Sequence, residues 1–216
     1  IPFPYPWVVN EEEADDFLNR SINTLKLNGI DMNRDICGFT LETFQGWGAI
    51  FYPKEFVKEI SKLCKKNKIL LTFDEMQAGF ARTGKKFGYE HYEVKPDLIC
   101  CGKGMGGGVA LSGVIGKKHV MDLPSVGEMS STNSANPLAC VAGMSVIDEI
   151  HDKEILKRVK TNGKYLKTGL QNIKHRNSIP IRYVMGEGMI YALIFDKKIK
   201  NIASKLKKIC FRSMQN

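Results

Sequence analysis

Residues 69–84 read ILLTFDEMQAGFARTG, an apolar run that ends in two acidic residues. The run from Ile69 to Phe73 has the length and composition of a buried β-strand. A second apolar run lies upstream at Ile36 to Leu41, and residues from Pro53 to Asn67 carry apolar side chains at helical spacing. This order of strand, helix and strand, with a short crossover, predicts a parallel sheet that is covered on both faces.

Two more apolar runs extend this pattern downstream. Asp97 to Cys101 (DLICC) and Leu111 to Ile115 (LSGVI) have strand length, and a long helix is expected after Pro137. Leu138, Val141, Met144, Ser145 and Ile147 fall on one face of that helix, and all of them except Ser145 are apolar. Residues 1–150 are therefore predicted to form an α/β domain with a mostly parallel sheet.

The chain has a different character near its two ends. The opening IPFPYPW is rich in proline, which favours extended backbone, and is predicted to be a tether before a helix at Glu11 to Leu27. Lys153 to Ile173 has the pattern of an amphipathic helix. Ile181 to Val184 and Met189 to Phe195 resemble the strands of a hairpin joined by MGEG. Residues 151–216 are predicted to begin a smaller α+β domain.

Composition limits the function classes. The chain has 216 residues, of which 43% are hydrophobic, and a formal net charge of +9. Its lysines are interleaved with Ile and Leu at helical spacing, which indicates solvated helix faces rather than a nucleic-acid surface. No run of 18 apolar residues and no signal-peptide pattern occurs, so no membrane partner and a cytoplasmic location are expected.

The six cysteines and four histidines show no metal-ligand spacing. The cysteines are Cys37, Cys64, Cys100, Cys101, Cys140 and Cys210. They are predicted to be buried free thiols in a reducing compartment, and no metal site is expected.

Two reactive side chains follow neighbouring predicted strands. Asp74 comes directly after Phe73, and Lys103 follows Cys101 across one glycine, within CGKGMGGG at residues 101–108. Ligands bind beyond the carboxyl ends of parallel strands, so the carboxylate and the amine are expected in one crevice. Gly102, Gly104 and Gly107 satisfy GxGxxG, but no clear helix follows, which disfavours a dinucleotide site.

A polar segment precedes the predicted helix at Pro137. Ser130 to Ser134 supply hydroxyl and amide groups that would cap the helix and, with its free N–H groups, bind a phosphate. An acid, a lysine and a phosphate site are the three requirements of pyridoxal phosphate (PLP). Its aldehyde condenses with an amine, its ring nitrogen must stay protonated and its phosphate anchors it. The residues therefore favour a PLP site.

Residues 73–116, with STNSANPLAC at 131–140, resemble the class III PLP-dependent aminotransferases of fold type I. The resemblance extends from Ile36 at least to Phe195, and its most specific part is the DE-x-Q-x-G-x-x-R-T-G segment that begins at Asp74. It implies a transaminase that moves an amino group from an amine or amino acid to an oxo acid. It also implies a homodimer.

The resemblance assigns roles to individual residues. Lys103 is similar to the Schiff-base lysine, which also moves the proton between the substrate and the cofactor. Asp74 is similar to the aspartate that pairs with the pyridine nitrogen, Met76 to the apolar residue on one ring face, and Gln77 to the glutamine near the phenolic oxygen. Thr132 resembles the threonine that reaches the partner subunit's cofactor phosphate. Glu75 is expected to be structural.

The sequence departs from the family in two respects. In LETFQGWGA, Glu42 and Gln45-Gly46 match a recurrent segment, but Trp47 stands where members acting on ω-amino acids often carry a second glutamate. Trp47 is expected either to line an apolar or sugar-like pocket or to pack in the core. The chain also lacks the family's N-terminal and C-terminal segments and starts at Ile1 rather than Met, so it is expected to be a piece of a larger protein or a truncated product.

Two other functions fit the same residues. A PLP-dependent racemase or epimerase shares removal of the Cα proton with a transaminase. A non-catalytic remnant would explain the missing cofactor contacts, although Asp74, Gln77, Lys103 and Thr132 are all in place.

Overall fold

The computed structural model describes residues 1–9, 13–151, 154–176, 180–196, 201–202 and 204–206. Within these ranges the α-helices are α1 (Ala14–Leu27), α2 (Lys54–Asn67), α3 (Lys118–Met121), α4 (Pro137–His151) and α5 (Glu154–His175). The strands are β1 (Gly38–Glu42), β2 (Phe44–Gln45), β3 (Ile50–Phe51), β4 (Leu70–Asp74), β5 (Leu98–Cys101), β6 (Gly113–Gly116), β7 (Ile181–Glu187) and β8 (Ile190–Phe195).

A four-stranded sheet in the order β1-β4-β5-β6 organises the larger part of the molecule. β1 pairs parallel with β4, and β4 pairs parallel with β5. β6 pairs antiparallel with β5, because residues 102–112 form too short a connection for a crossover back to the starting edge. The predicted α/β class with a mostly parallel sheet is confirmed, and one edge strand reverses.

The main core lies between this sheet and the helices α1 and α2. Leu18 of α1 and Phe56 of α2 belong to the same buried cluster as Phe73 of β4. Both helices have one apolar face and one charged face, so packing the apolar face on the sheet removes it from water. The predicted end of α2 at Asn67 is confirmed, and the left-handed Lys68 terminates the helix.

The prediction of a tether at the N-terminus is wrong. Pro4 is buried, and the ring of Phe3 lies 4.4 Å from that of Tyr52. The segment bends back in turns, in which the backbone N–H groups of Val8 and Val9 donate to the Tyr5 carbonyl oxygen, and its rings lie against the domain. The next helix begins at Ala14; the predicted start at Glu11 lies outside the described residues.

The helix predicted after Pro137 is confirmed as α4, but its apolar face is not buried. Its exposed apolar side chains are Leu138, Val141, Met144 and Ile147, whereas its buried residues are Ala139, Gly143 and Ile150. Small residues on the inner face let the helix approach the 3₁₀ turn at 103–106 closely. A larger apolar surface is left on the outside.

After α4 come α5 and an antiparallel β7–β8 hairpin, so the predicted hairpin is confirmed, but its turn is at Gly188 and Met189 because Met185 to Glu187 of the predicted MGEG connection belong to β7. The predicted helix start at Lys153 and the lysines at 197–200 lie outside the described residues. The division into domains at residues 150 and 151 stays a prediction. Among the described helices, none has a stretch long and apolar enough to cross a lipid bilayer.

The cysteines are only partly buried. Cys64 and Cys101 are buried, Cys100 is half-buried, and Cys37 and Cys140 are exposed. These five described cysteines are free thiols, as predicted, but burial of all six was a wrong expectation, and Cys210 lies outside the described residues.

Candidate active site

Asp74 and Lys103 line one cavity of about 290 Å³ at the carboxyl edge of the parallel strands. Met76 and Gln77 line it too, and the opposite wall comes from the segment that follows β1, with Glu42, Thr43, Phe44, Gln45, Gly46 and Trp47. A larger groove of about 560 Å³ lies between α1 and α2, but none of the predicted site residues lines it. The chemistry of the smaller cavity makes it the candidate active site.

The position of Asp74 follows from the strand register. Asp74 is the last residue of β4, where it pairs with Glu42 of β1 and with Cys100 of β5. Its Oδ1 accepts a hydrogen bond of 2.9 Å from the backbone N–H of Met76. This bond fixes the carboxylate at the start of the turn that leaves the strand.

The adjacent acid Glu75 points to the opposite side and is fully buried. Its carboxylate accepts hydrogen bonds from the Thr43 hydroxyl and from the backbone N–H groups of Gly88 and Tyr89. Burial raises the pKa of Glu75, while these three bonds oppose the shift. Glu75 joins three chain segments behind the cavity, in agreement with the structural role that was expected.

Lys103 begins a 3₁₀ turn that covers Lys103–Gly106 directly after β5. Its backbone has a φ of 46°, which is uncommon for a residue with a side chain and costs conformational energy. Its side chain is exposed toward the cavity. Because a 3₁₀ turn and a strand follow the glycines in place of an α-helix, the GxGxxG match at Gly102 is not a dinucleotide fingerprint.

Two glycines leave space beside the predicted cofactor residues. A Cβ on Gly102 would lie 2.3 Å from the Met76 sulfur, and a Cβ on Gly46 would lie 2.8 Å from Oε1 of Gln77. Glycine at these positions lets the Met76 and Gln77 side chains lie directly against neighbouring backbone. Both side chains therefore belong to the walls of the cavity.

Aromatic rings border the cavity, and the sequence patterns did not assign most of them to the site. Trp47 is 62% exposed and lines the cavity, so the core alternative for this residue is wrong. Its ring lies 6.5 Å from that of Trp7, which stacks on Tyr5 at 4.8 Å and contacts Tyr183 at 5.6 Å. The aromatic residues at positions 3, 5 and 7 were the sequence feature that could have indicated this cluster of rings.

Thr132 is placed apart from the other predicted residues. It lies in an exposed turn before α4 and does not line the cavity that contains Lys103. The cap of α4 is Asn136, whose Oδ1 accepts hydrogen bonds from the N–H groups of Leu138 and Ala139. The expectation that a residue of Ser130 to Ser134 caps this helix is therefore wrong, and the phosphate role of Thr132 stays a prediction.

Comparisons with known proteins identify the family. The model of the class III aminotransferases matches residues 1–214. The acetylornithine aminotransferase of Caldanaerobacter subterraneus is 37% identical over 72% of this chain and 39% of its own length. The alanine/serine racemase of Pyrococcus horikoshii is 35% identical over 100% of this chain and 47% of its own length.

A solved structure shows the same fold. The (S)-enantioselective ω-transaminase of Thermomicrobium roseum superposes with a TM-score of 0.79 and 26% identity, over 94% of this chain and 46% of that chain. The chain thus spans less than half of the length of each of these three relatives. With the match over residues 1–214, the chain belongs to the class III aminotransferase family.

Proposed function

We propose that this chain carries the catalytic lysine of a PLP-dependent transaminase, which moves an amino group from an amine or amino acid to an oxo acid. The observation that carries the proposal is the shared cavity of Lys103 and Asp74. The amine and the carboxylate are two of the three groups that this cofactor needs from the protein, and the phosphate site is the third.

The residues of the cavity fit the cofactor. The cavity has a volume of about 290 Å³, close to the lower limit of the range for small-molecule sites, roughly 300–1,000 Å³. Gly46 in the cavity wall and Gly102 behind Met76 carry no side chains, so Gln77 and Met76 occupy the space beside them. When bound, PLP supplies an electron sink next to the reacting carbon of the substrate.

Each residue has a defined part in this proposal. The amine of Lys103 would hold the cofactor covalently and then carry the proton that leaves the substrate Cα. The carboxylate of Asp74, oriented by the Met76 N–H, would hold the proton of the ring nitrogen through a charge-assisted hydrogen bond. Met76 would pack on the ring, and Gln77 would donate to its phenolic oxygen.

A homodimer is part of the proposal. The exposed position of Thr132, outside the cavity of its own chain, supports a contact with the cofactor phosphate of a partner subunit. Exposed apolar side chains precede and follow Thr132 along the chain, and exposed apolar surface is typical of interfaces. These side chains are Val126, Met129, Leu138, Val141 and Met144. Sedimentation of the protein at several concentrations tests the dimer.

The aromatic border of the cavity supports a substrate with an apolar side chain. Trp47 offers an exposed ring to the pocket, and Trp7 and Tyr5 extend this surface. An indole ring offers a broad apolar surface against which an apolar or aromatic side chain packs. The donor would therefore be an amino acid with an apolar side chain.

A racemase is the second candidate, because the alanine/serine racemase of Pyrococcus horikoshii is similar over the whole chain. Both reactions begin with loss of the Cα proton. Incubation with a single L-amino acid distinguishes them, since a racemase turns over without an oxo acid and a transaminase requires one as acceptor.

Borohydride reduction tests the lysine assignment. The protein that carries this chain is mixed with PLP, the visible absorption of lysine-bound cofactor is recorded, and the bond is fixed by reduction before peptide mass analysis. We expect the label on Lys103. Folded protein with no absorption band would instead support a non-catalytic remnant, and a label on another lysine would refute the assignment.

A further inference from the structure

A second cleft lies between α5, the β7–β8 turn and the segment from Thr83 to His91. It has a volume of about 380 Å³ and shares no lining residue with the cavity around Lys103. Its lining includes four lysines, namely Lys85, Lys160, Lys164 and Lys167. Its size is within the range of small-molecule sites.

The walls of this cleft are joined by close contacts. The backbone N–H of Met189 donates to the Arg82 carbonyl oxygen at 2.9 Å, and the Tyr191 hydroxyl donates to the Gly163 carbonyl oxygen at 3.3 Å. A Cβ on Gly163 would lie 2.3 Å from the Gly188 carbonyl oxygen, so α5 and the hairpin turn are in direct backbone contact. The cleft is thus formed by three connected segments rather than by a mobile surface loop.

The charge of the cleft is strongly positive. Glu187 is the single carboxylate among the lining residues, and it pairs with Lys167 at 3.3 Å. Within the part of the chain that the structure describes, Lys85, Lys160 and Lys164 form no ion pair. Lys160 and Lys164 are four residues apart on α5 and so lie on the same face of the helix. An anion in the cleft would have several cationic partners.

A buried hydroxyl at the base of the cleft has no partner. Thr83 lines the cleft with only 2% of its surface exposed. Its Oγ1 forms no hydrogen bond with any described residue, and it is the only such buried side-chain oxygen or nitrogen among them. An unsatisfied buried hydroxyl is costly, so a ligand oxygen that reached this group by a small displacement of its neighbours would satisfy it.

We propose that this cleft binds a phosphate group, with Lys160 and Lys164 as its cationic partners and the Thr83 hydroxyl as a buried donor. Lysine ammonium groups bind phosphate as point charges, and a hydroxyl adds a directed hydrogen bond. The site does not depend on the proposed cofactor or reaction, since it shares no residue with the cavity of Lys103.

Calorimetric titration of the full protein tests the proposal with two probes, inorganic phosphate and glycerol 3-phosphate. The protein is first saturated with PLP, so that any cofactor site is filled. We expect saturable binding of at least one probe with a dissociation constant near or below about 1 mM. Equal affinity for both probes would show that the site binds free phosphate as well as phosphate monoesters. A higher affinity for glycerol 3-phosphate would show that the site prefers a phosphate monoester. Absence of saturable binding for both probes would overturn the proposal.

Three variants localise the site. The double substitution K160Q/K164Q should weaken binding at least about tenfold, because it removes two charged partners. Thr83→Val removes the hydroxyl without changing the shape, and should weaken binding severalfold while leaving the melting temperature without ligand unchanged or higher. Lys157→Gln, an exposed change on the same helix outside the cleft, should bind as the wild type does. Wild-type affinity in K160Q/K164Q or in Thr83→Val would refute the assignment.

Discussion

Asp74 and Lys103 reach the same cavity from two neighbouring parallel strands. Asp74 ends β4 in register with Cys100 of β5, and Lys103 follows shortly after the end of β5. The relative position of the carboxylate and the amine is therefore determined by the hydrogen-bond register of the sheet. A side-chain substitution that does not disturb the pairing of the strands therefore tests the role of the carboxylate or of the amine separately.

Replacing Asp74 by Asn should reduce transaminase activity by about 100-fold or more while some cofactor binding is retained. A neutral amide of the same shape cannot hold the charge of a protonated ring nitrogen, and loss of one group that stabilises charge at a reacting centre has this scale. Steady-state rates and cofactor absorption measure the two effects. Asp122→Asn, the same change at an exposed position of the chain, is the control; near-normal activity of Asp74→Asn would refute the role.

Gly102→Ala should displace Met76 and weaken cofactor binding. The backbone at Gly102 is extended, so the conflict is steric: the new Cβ would lie 2.3 Å from the Met76 sulfur. Overpacking of this kind costs about 1–3 kcal/mol. The matched control is Gly104→Ala, whose Cβ would meet Phe80 at an ordinary 3.5 Å. Equal cofactor dissociation constants for the two variants would contradict the prediction.

Glu75→Gln should destabilise the fold by about 1–3 kcal/mol. The carboxylate accepts bonds from three donors, whereas an amide offers one oxygen and turns two N–H donors toward groups that also donate. Urea denaturation followed by circular dichroism measures the difference. Glu93→Gln, at an exposed glutamate, should change stability little, and a similarly small effect at Glu75 would show that the buried network is not required.

Trp47→Ala should reduce kcat/KM for leucine more than for alanine. Loss of the ring removes apolar contact with a large side chain, and such contacts are worth roughly 10- to 200-fold per lost group. Trp47→Phe keeps an aromatic surface and should retain most of the preference for leucine. If both variants keep the wild-type ratio of the two donors, the ring does not contact the substrate.

The free energy of unfolding should decrease as the pH falls below neutral, because His91 takes up a proton more readily in the unfolded chain. Burial lowers the pKa of His91 in the folded state, although the Thr83 carbonyl and Glu187 oppose the shift. Between this lowered pKa and the unfolded value of about 6.5, the unfolded chain binds a proton that the folded chain does not. Stability from this group is therefore complete above that window and falls as the pH decreases through it.

The variant His91→Gln isolates this effect. Its free energy of unfolding should depend less on pH between 7.5 and 5.5 than that of the wild type, as measured by urea denaturation across this range. Parallel pH profiles for the two proteins would contradict the prediction.

Apolar runs were sufficient to predict the central sheet. β4 and β5 are short apolar runs whose residues are buried or half-buried, and their carboxyl ends locate Asp74 and Lys103. The direction of β6 was not predicted, since direction depends on the length of the preceding connection rather than on the strand itself. The periodicity of α4 was equally clear, yet it does not tell which face the neighbouring elements cover.

Features made by distant residues could not be predicted. The aromatic border requires Trp7 to meet Trp47, and the lysine cleft requires α5 to pack beside Thr83. No local sequence pattern predicts these contacts between distant segments. Glu75 was expected to be structural, but its three partners became evident only in the folded chain.

The two tryptophans of the chain have a practical consequence. Trp47 lines the cavity and Trp7 lies 6.5 Å from it, so the indole fluorescence of this chain originates beside the cavity. Quenching or a spectral shift of this emission would give an optical signal for occupancy of the pocket. A stopped-flow experiment can then follow ligand entry without any added dye.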